Sequence, residues 1–469
     1  MRHPVADAGA TARSSDRTSG TIVDAGTTPP GASPAAGPEG VPPLAPAGRG
    51  AVFALSGAGT IGRGRVAVVY RSDGPELALH RVHEDPVLPR VSYPEPPPTP
   101  EPVTAGEVAA RHTALWVWNT RQILDEPEER ARLLDLVRDE SVTRVFLYLA
   151  AGRGHPPSAG FIPFDGAELG PLLAELRSRG ALVYALDGDP WYALPENHPG
   201  VLRTIERLAE HNRSVPEAQR FHGVRYDIEP YLVPGWHGTR RAELLDGWME
   251  LMASASRAAR RGGLAFGADI PFWLDSPDEV TGELLEATVD GRAAPILEHL
   301  LPAVDDVAVM DYRTTSLGPN GALALAHGEM EAAARHGVDV FVGLETTRLN
   351  DEDLFTFHGP STEGLPPHGR ARWIVLHGLD DGRARLWLVD GEVALAALRE
   401  ELPDASLLRH WPAGRPTRVA ADLQSFHALG EARMRSVADD IVRRLADRPA
   451  FAGIAIHDLE GLSRLREGS

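Results

Sequence analysis

From about residue 111 onward, the hydrophobic positions of this chain switch repeatedly between two periods. Short runs of β-branched and aromatic residues read as strands: Ala114–Asn119, Arg144–Ala150, Leu182–Leu186, Gly223–Glu229, Leu264–Asp269, Asp306–Tyr312, Val338–Glu345 and Gly453–His457. Between them lie amphipathic segments with helical spacing: Glu128–Asp139, Ala167–Arg179, Val201–Asn212, Arg240–Arg261, Gly321–His336 and Leu429–Asp447. Leu133, Leu134 and Val137 share one helical face, as do Leu202, Ile205 and Leu208. Stops such as Arg179-Gly180 and His336-Gly337 precede the next strand. The alternation predicts an α/β fold, a (β/α)8 TIM barrel over residues 111–465.

Outside that rhythm the pattern changes. Residues 1–50 hold Ala, Gly, Pro, Ser and Thr with almost no large apolar side chain, too little to offset ordering entropy, so this segment is expected to be disordered. Residues 51–85 read as a small β module: a strand at Ala51–Ser56, then a hairpin of Arg65–Arg71 and Glu76–Val82. Gly57-Ala58-Gly59-Thr60-Ile61-Gly62 fits G-x-G-x-x-G, but the strand-like Val66–Tyr70 follows where a dinucleotide site needs a helix, so it reads as a turn. Residues 86–110 form a proline-rich linker. An insertion at 348–420 follows the seventh strand, with a hairpin of Arg372–His377 and Ala384–Val389 and a helix at Glu392–Glu401. At that end of a barrel, it is expected to form either a lid beside the active face or a loop decoration.

Composition narrows the chemistry. A net charge of −19 disfavours nucleic acid and anionic membranes as partners and suits a neutral or cationic ligand. The 469 residues include no cysteine and no lysine, which excludes thiolate nucleophiles, disulfides, Schiff bases and the P-loop lysine. No cofactor is expected. No apolar run of about 18 residues suggests a membrane span. The N-terminal Met1-Arg2-His3-Pro4 lacks the apolar stretch of an export signal, which predicts a cytoplasmic protein, an extracellular one being the alternative. The sequence leaves the oligomeric state open.

The predicted strand ends carry the candidate site. Strand four, Phe221-His222-Gly223-Val224-Arg225-Tyr226-Asp227-Ile228-Glu229-Pro230-Tyr231, places Arg225, Asp227 and Glu229 on one face. Other strands end on Trp116-Val117-Trp118, Asp187, Asp269 with Trp273 beyond it, Asp311-Tyr312-Arg313, Glu345 and His457-Asp458. At most one of Trp116 and Trp118 is expected to point inward. Carboxylates flanked by Trp and Tyr suit a sugar: the acids supply a proton and stabilise positive charge at the anomeric carbon, and the rings stack on pyranose faces. Metal-dependent hydrolysis is the weaker alternative, because His155, His222 and His457 lack ligand spacing.

Phe221-x-Gly223-Val224-x-Tyr226-Asp227-x-Glu229 is similar to the strand-four signature of glycoside hydrolase family 18, the chitinase-like barrels, and Met310-x-Tyr312 resembles that family's strand-six motif. The resemblance implies Glu229 as general acid, Asp227 orienting a substrate acetamido group that serves as nucleophile, and Tyr312 bonding the same group. Arg225 stands where the family has an earlier acid, and His457 replaces its strand-eight Trp. A second resemblance competes. Ile228-Glu229-Pro230 with Glu345 is similar to retaining glycosidases with Asn-Glu-Pro on strand four. It implies Glu229 as acid/base and Glu345 as nucleophile, with carboxyl groups about 5–5.5 Å apart. Both resemblances imply a hydrolase cleaving a glycosidic bond of an oligo- or polysaccharide. The expected substrate-binding residues are Trp118, Asp187, Tyr231, Asp269, Trp273, Asp311, Arg313 and His457. A carbohydrate-binding barrel without turnover is the non-enzyme alternative. In any of these, Glu229 has a structural alternative, an ion pair with Arg225.

Overall fold

The structure is a computed structural model. It describes residues 112–149, 166–233, 236, 240–277, 284–349, 391–401 and 417–468, and beyond these a set of strands in the N-terminal part and the insertion. The predicted disordered segment 1–50 lies outside the described residues except for Val23–Asp24 and Gly50, and the glycine motif and the proline-rich linker lie outside them entirely.

Eight parallel strands close into one barrel in chain order: β1 (His112–Val117), β2 (Val142–Tyr148), β3 (Leu182–Asp187), β4 (Gly223–Asp227), β5 (Ala265–Pro271), β6 (Asp306–Met310), β7 (Asp339–Glu345) and β8 (Phe451–His457). Pairing of Ile456 with Leu115 joins the last strand to the first. All eight predicted strands are present, shifted by a few residues at their ends. The surrounding helices include α1 (Pro127–Asp139), α2 (Gly166–Ser178), α3 (His198–Ser214), α4 (Arg241–Gly262), α5 (His327–His336), α6 (Glu431–Leu445) and α7 (Leu459–Glu467). Gly263 and Gly337 take left-handed φ values of 72° and 69°, ending α4 and α5 where a side chain would be strained.

The strands are buried on both faces, as a parallel barrel requires. Ala114, Trp116, Phe146, Tyr184, Leu186, Ala308, Phe341 and Ala455 fill the interior. Leu115, Val117, Val145, Leu147, Val307, Val309, Val340 and Val342 face the helices. The two layers alternate residue by residue, which explains the regular strand signal in the sequence. The expectation that at most one of Trp116 and Trp118 points inward is corrected here. Residues two apart share a face, and Trp118 packs against the interior cluster that holds Trp116.

One connection departs from the predicted pattern. Between β5 and β6 the chain forms a hairpin, Glu286–Val289 with Arg292–Pro295, before a short helix at Ile296–Leu300. Asp290-Gly291 makes its turn with positive φ at both residues.

The predicted hairpin strands of the insertion pair as Arg372–Gly378 with Arg383–Asp390, and Gly391–Glu401 is helical. Strands from the N-terminal part join them: Gly50–Ala54 pairs with Arg383–Asp390, and Arg65–Ser72 pairs with Glu352–His358. No described helix is long and apolar enough to cross a membrane.

Candidate active site

β4 sets the site. Arg225 points into the barrel, fully buried, with its guanidinium 4.0 Å from the Phe146 ring centre. Its Nε donates to Asp269 Oδ1 at 2.6 Å, one Nη to Asp306, and the other to the Ala268 carbonyl at 2.9 Å. Gly267 makes room for this network, because a Cβ there would lie 2.5 Å from the guanidinium. The guanidinium that could have tied up Glu229 is thus directed to Asp269 and Asp306.

Two residues on, Asp227 ends the strand on the same face. Its Oδ1 is buried without a hydrogen-bond partner. Burial, then the neighbouring charges of Glu229 and Asp269, hold its carboxyl well above the usual range. Glu229 lies just past the strand, at the start of a short turn over Pro230–Leu232. It is 5% exposed, and the Tyr231 hydroxyl donates to its Oε1.

Tyr312 is buried beyond the end of β6 and carries a positive φ of 35°. Burial and the charges of Glu345, Asp227, Asp269 and Glu229 push its hydroxyl well up, so it remains a proton-bearing donor. These electrostatic contacts put acids from β4, β5 and β7 around one phenol. Gly343 on β7 accommodates that ring: a Cβ there would meet Tyr312 Cε1 at 3.2 Å and the Val309 carbonyl at 2.6 Å.

Glu345 is wholly buried and heavily bonded. Its Oε1 accepts from the Thr347 backbone N–H at 2.6 Å and hydroxyl at 2.7 Å, and its Oε2 lies 2.9 Å from His457 Nδ1. Asp269 is similarly occupied, with Trp116 Nε1 donating to Oδ2 at 3.0 Å in addition to Arg225 on Oδ1.

Aromatic rings rim the acids. Trp118 and Tyr148 are half-buried, 5.2 Å apart, and Trp118 Nε1 donates to His457 Nε2 at 2.9 Å. Opposite them, Tyr231, Trp236 and Trp273 pack edge to face, with Tyr231 and Trp273 at 5.0 Å. Asp187 is nearly buried and accepts from the Gly188 N–H at 2.8 Å and the Tyr192 hydroxyl.

Two candidates lie apart from this group. Asp311 is wholly buried, neither of its oxygens has a hydrogen-bond partner, and it interacts electrostatically with Glu329 of α5, on the helix side of the barrel. Arg313 donates to the backbone carbonyls of Asp311 and Tyr312 and stacks over Phe272 at 5.0 Å.

The sequence reading did not single out Gly188 or Gly343. A Cβ on Gly188 would lie 2.0 Å from the Asp227 carbonyl oxygen, so only glycine lets this loop close against the end of β4. The Asp187-Gly188-Asp189 run was the available signal, a glycine between acids at a strand end. Among the described residues, no group of three or more His, Asp or Glu side chains is placed to hold a metal ion.

No family model matches the chain, and no curated protein does. Solved structures do resemble it. The chitinase of Chromobacterium violaceum is 14% identical, with 62% of this chain and 90% of that chain covered and a TM-score of 0.33. The spore cortex-lytic enzyme SleL of Bacillus cereus is 8% identical, with 76% and 74% covered and a TM-score of 0.39. Catalytic domain 2 of the Group II chitinase of Ostrinia furnacalis is 12% identical, with 62% and 86% covered and a TM-score of 0.32. At these identities the likeness is one of fold alone, the eight-stranded barrel.

Proposed function

We propose that this protein hydrolyses a glycosidic bond at the C-terminal mouth of its barrel, with Glu229 as general acid and Asp227 as its partner. The observation that carries the reading is the i, i+2 pair of acids at the end of β4, with Tyr312 and an aromatic rim around it. The charges of Asp227 and Glu229 oppose each other, which favours a proton on the pair. That proton is what a leaving glycosidic oxygen needs. Trp118, Tyr148 and Trp273 are half-buried at the rim, as surfaces for sugar rings would be.

For the second role, Glu345 suits a nucleophile poorly. Three donors from Thr347 and His457 hold its oxygens, and it has no exposed surface. An acetamido group of the substrate, oriented by Asp227 and the Tyr312 hydroxyl, fits the free buried Oδ1 of Asp227 better. The substrate would then be a 2-acetamido sugar.

Glu229→Gln tests the acid. Hydrolysis of aryl glycosides with poor leaving groups should fall by about 10²–10⁴, with a much smaller loss for an activated leaving group that needs no proton. Equal turnover of wild type and variant across the leaving-group series would remove Glu229 from the role. Glycan binding by the wild type with no turnover of any glycoside would favour the binding-only alternative.

A further inference from the structure

We propose that His457 is a positioning residue that fixes the orientation of Trp118 at the barrel mouth, and that protonation of its imidazole releases Trp118. The proposal rests on the carbohydrate reading only in treating Trp118 as a wall of the ligand site.

The direction of the hydrogen bonds carries the argument. An indole N–H can only donate. The 2.9 Å contact from Trp118 Nε1 therefore requires a lone pair on His457 Nε2. The other ring nitrogen, Nδ1, then carries the proton and donates to Glu345 Oε2 at 2.9 Å. Glu345 is fixed from behind by the N–H and hydroxyl of Thr347. The run from Trp118 through His457 to Glu345 thus has one consistent order of donors, and it selects one tautomer of a neutral imidazole.

Packing makes the arrangement specific. His457 is 6% exposed, its ring lying 5.7 Å from Trp116, 5.9 Å from Trp118 and 5.6 Å from Tyr312. Trp118 is half-buried and packs against the Tyr148 ring at 5.2 Å. The indole has one polar atom, and His457 holds it.

A second proton on the imidazole would break this. Nε2–H and the indole N–H would face each other as two donors, and the hydrogen bond between Trp118 and His457 would be lost. Two acids face His457 across the barrel mouth. Glu345 contacts it from β7, and Asp227 on β4 interacts with it electrostatically. Tyr312, from beyond β6, and Trp116 on β1 present neutral rings. Asp458, next in the chain, turns away to accept from Gly461 N–H at the start of α7.

The test uses the full-length protein with 15N in tryptophan indoles and histidine rings. Trp118→Phe assigns the Trp118 signal. At about pH 8 the His457 ring should show the Nδ1–H tautomer, and between about pH 8 and 5 the Trp118 indole N–H should shift and exchange with water about tenfold faster. In His457→Gln that pH response should vanish. The proposal is overturned by an Nε2–H tautomer, by an indole signal that ignores pH in the wild type, or by the same response persisting in His457→Gln. If that variant does not fold, the wild-type ring spectrum decides alone. None of these readings depends on turnover, so they separate this proposal from the glycosidase reading.

Discussion

Arg225 brings a full charge into the buried interior of the barrel. It is tolerated because Asp269, Asp306 and a backbone carbonyl accept from it, and because Gly267 leaves space for the guanidinium. Such a group contributes little net stability while intact, but removing one partner leaves buried charge behind. Arg225→Leu should therefore destabilise the fold by about 3–5 kcal/mol, measured as a lower urea midpoint. Replacing Asp269 and Asp306 by Asn in the same chain should recover much of that loss; no recovery would mean the network is not the cause. Gly188 is sensitive for a different reason. Gly188→Ala drives a Cβ against the Asp227 carbonyl, and the end of β4 must move with it. Ligand binding should weaken, read by calorimetry against a glycan that binds the wild type.

At the scale of elements, α5 packs against β7 and brings Glu329 within electrostatic reach of Asp311, just past β6. Glu329 and Asp311 are wholly buried, and neither has a hydrogen-bond partner for its carboxyl oxygens. Burial holds both carboxyls well above the usual range, with Asp275 adding to the effect on Glu329. The sign follows from linkage. In the unfolded chain these groups lose their protons above about pH 4, while in the fold they keep them, so stability falls as pH rises above that point. Glu329→Gln removes this loss. It should raise the urea midpoint relative to wild type at about pH 8 and leave it nearly unchanged at about pH 3, where both states of the wild type are protonated. A larger gain at acid pH would contradict the assignment.

At the scale of the whole molecule, strands distant in sequence share sheets. Arg65–Ser72 pairs with Glu352–His358, and Gly50–Ala54 with Arg383–Asp390. Deleting residues 1–110 should expose the edges of the insertion strands while the barrel keeps its own pairing. Hydrogen exchange should then speed up in 352–358 and 383–390 and stay slow in β1 and β2. Unchanged protection in the insertion would show that the N-terminal strands are dispensable to it. The net charge of −19 acts at the same scale and favours neutral over polyanionic glycans, whose binding should strengthen with added salt as repulsion is screened.

The eight barrel strands were legible because their signal is local. Apolar runs, alternation and glycine stops each depend on a few neighbouring residues, so the sequence alone determined the order of strands and the facing of Arg225 and Asp227. It also brought the acids of β4 to the fore. Which acids remain available was beyond it. Asp269 takes its donors from residues 44 and 153 positions away, and Glu345 takes one of its three from His457, 112 positions away. Asp311 turns to α5, although its neighbour Tyr312 joins the site. Closing the barrel decided these partnerships, because a carboxylate's role depends on the donors the fold brings to it, and the deciding donors come from strands far apart in the sequence.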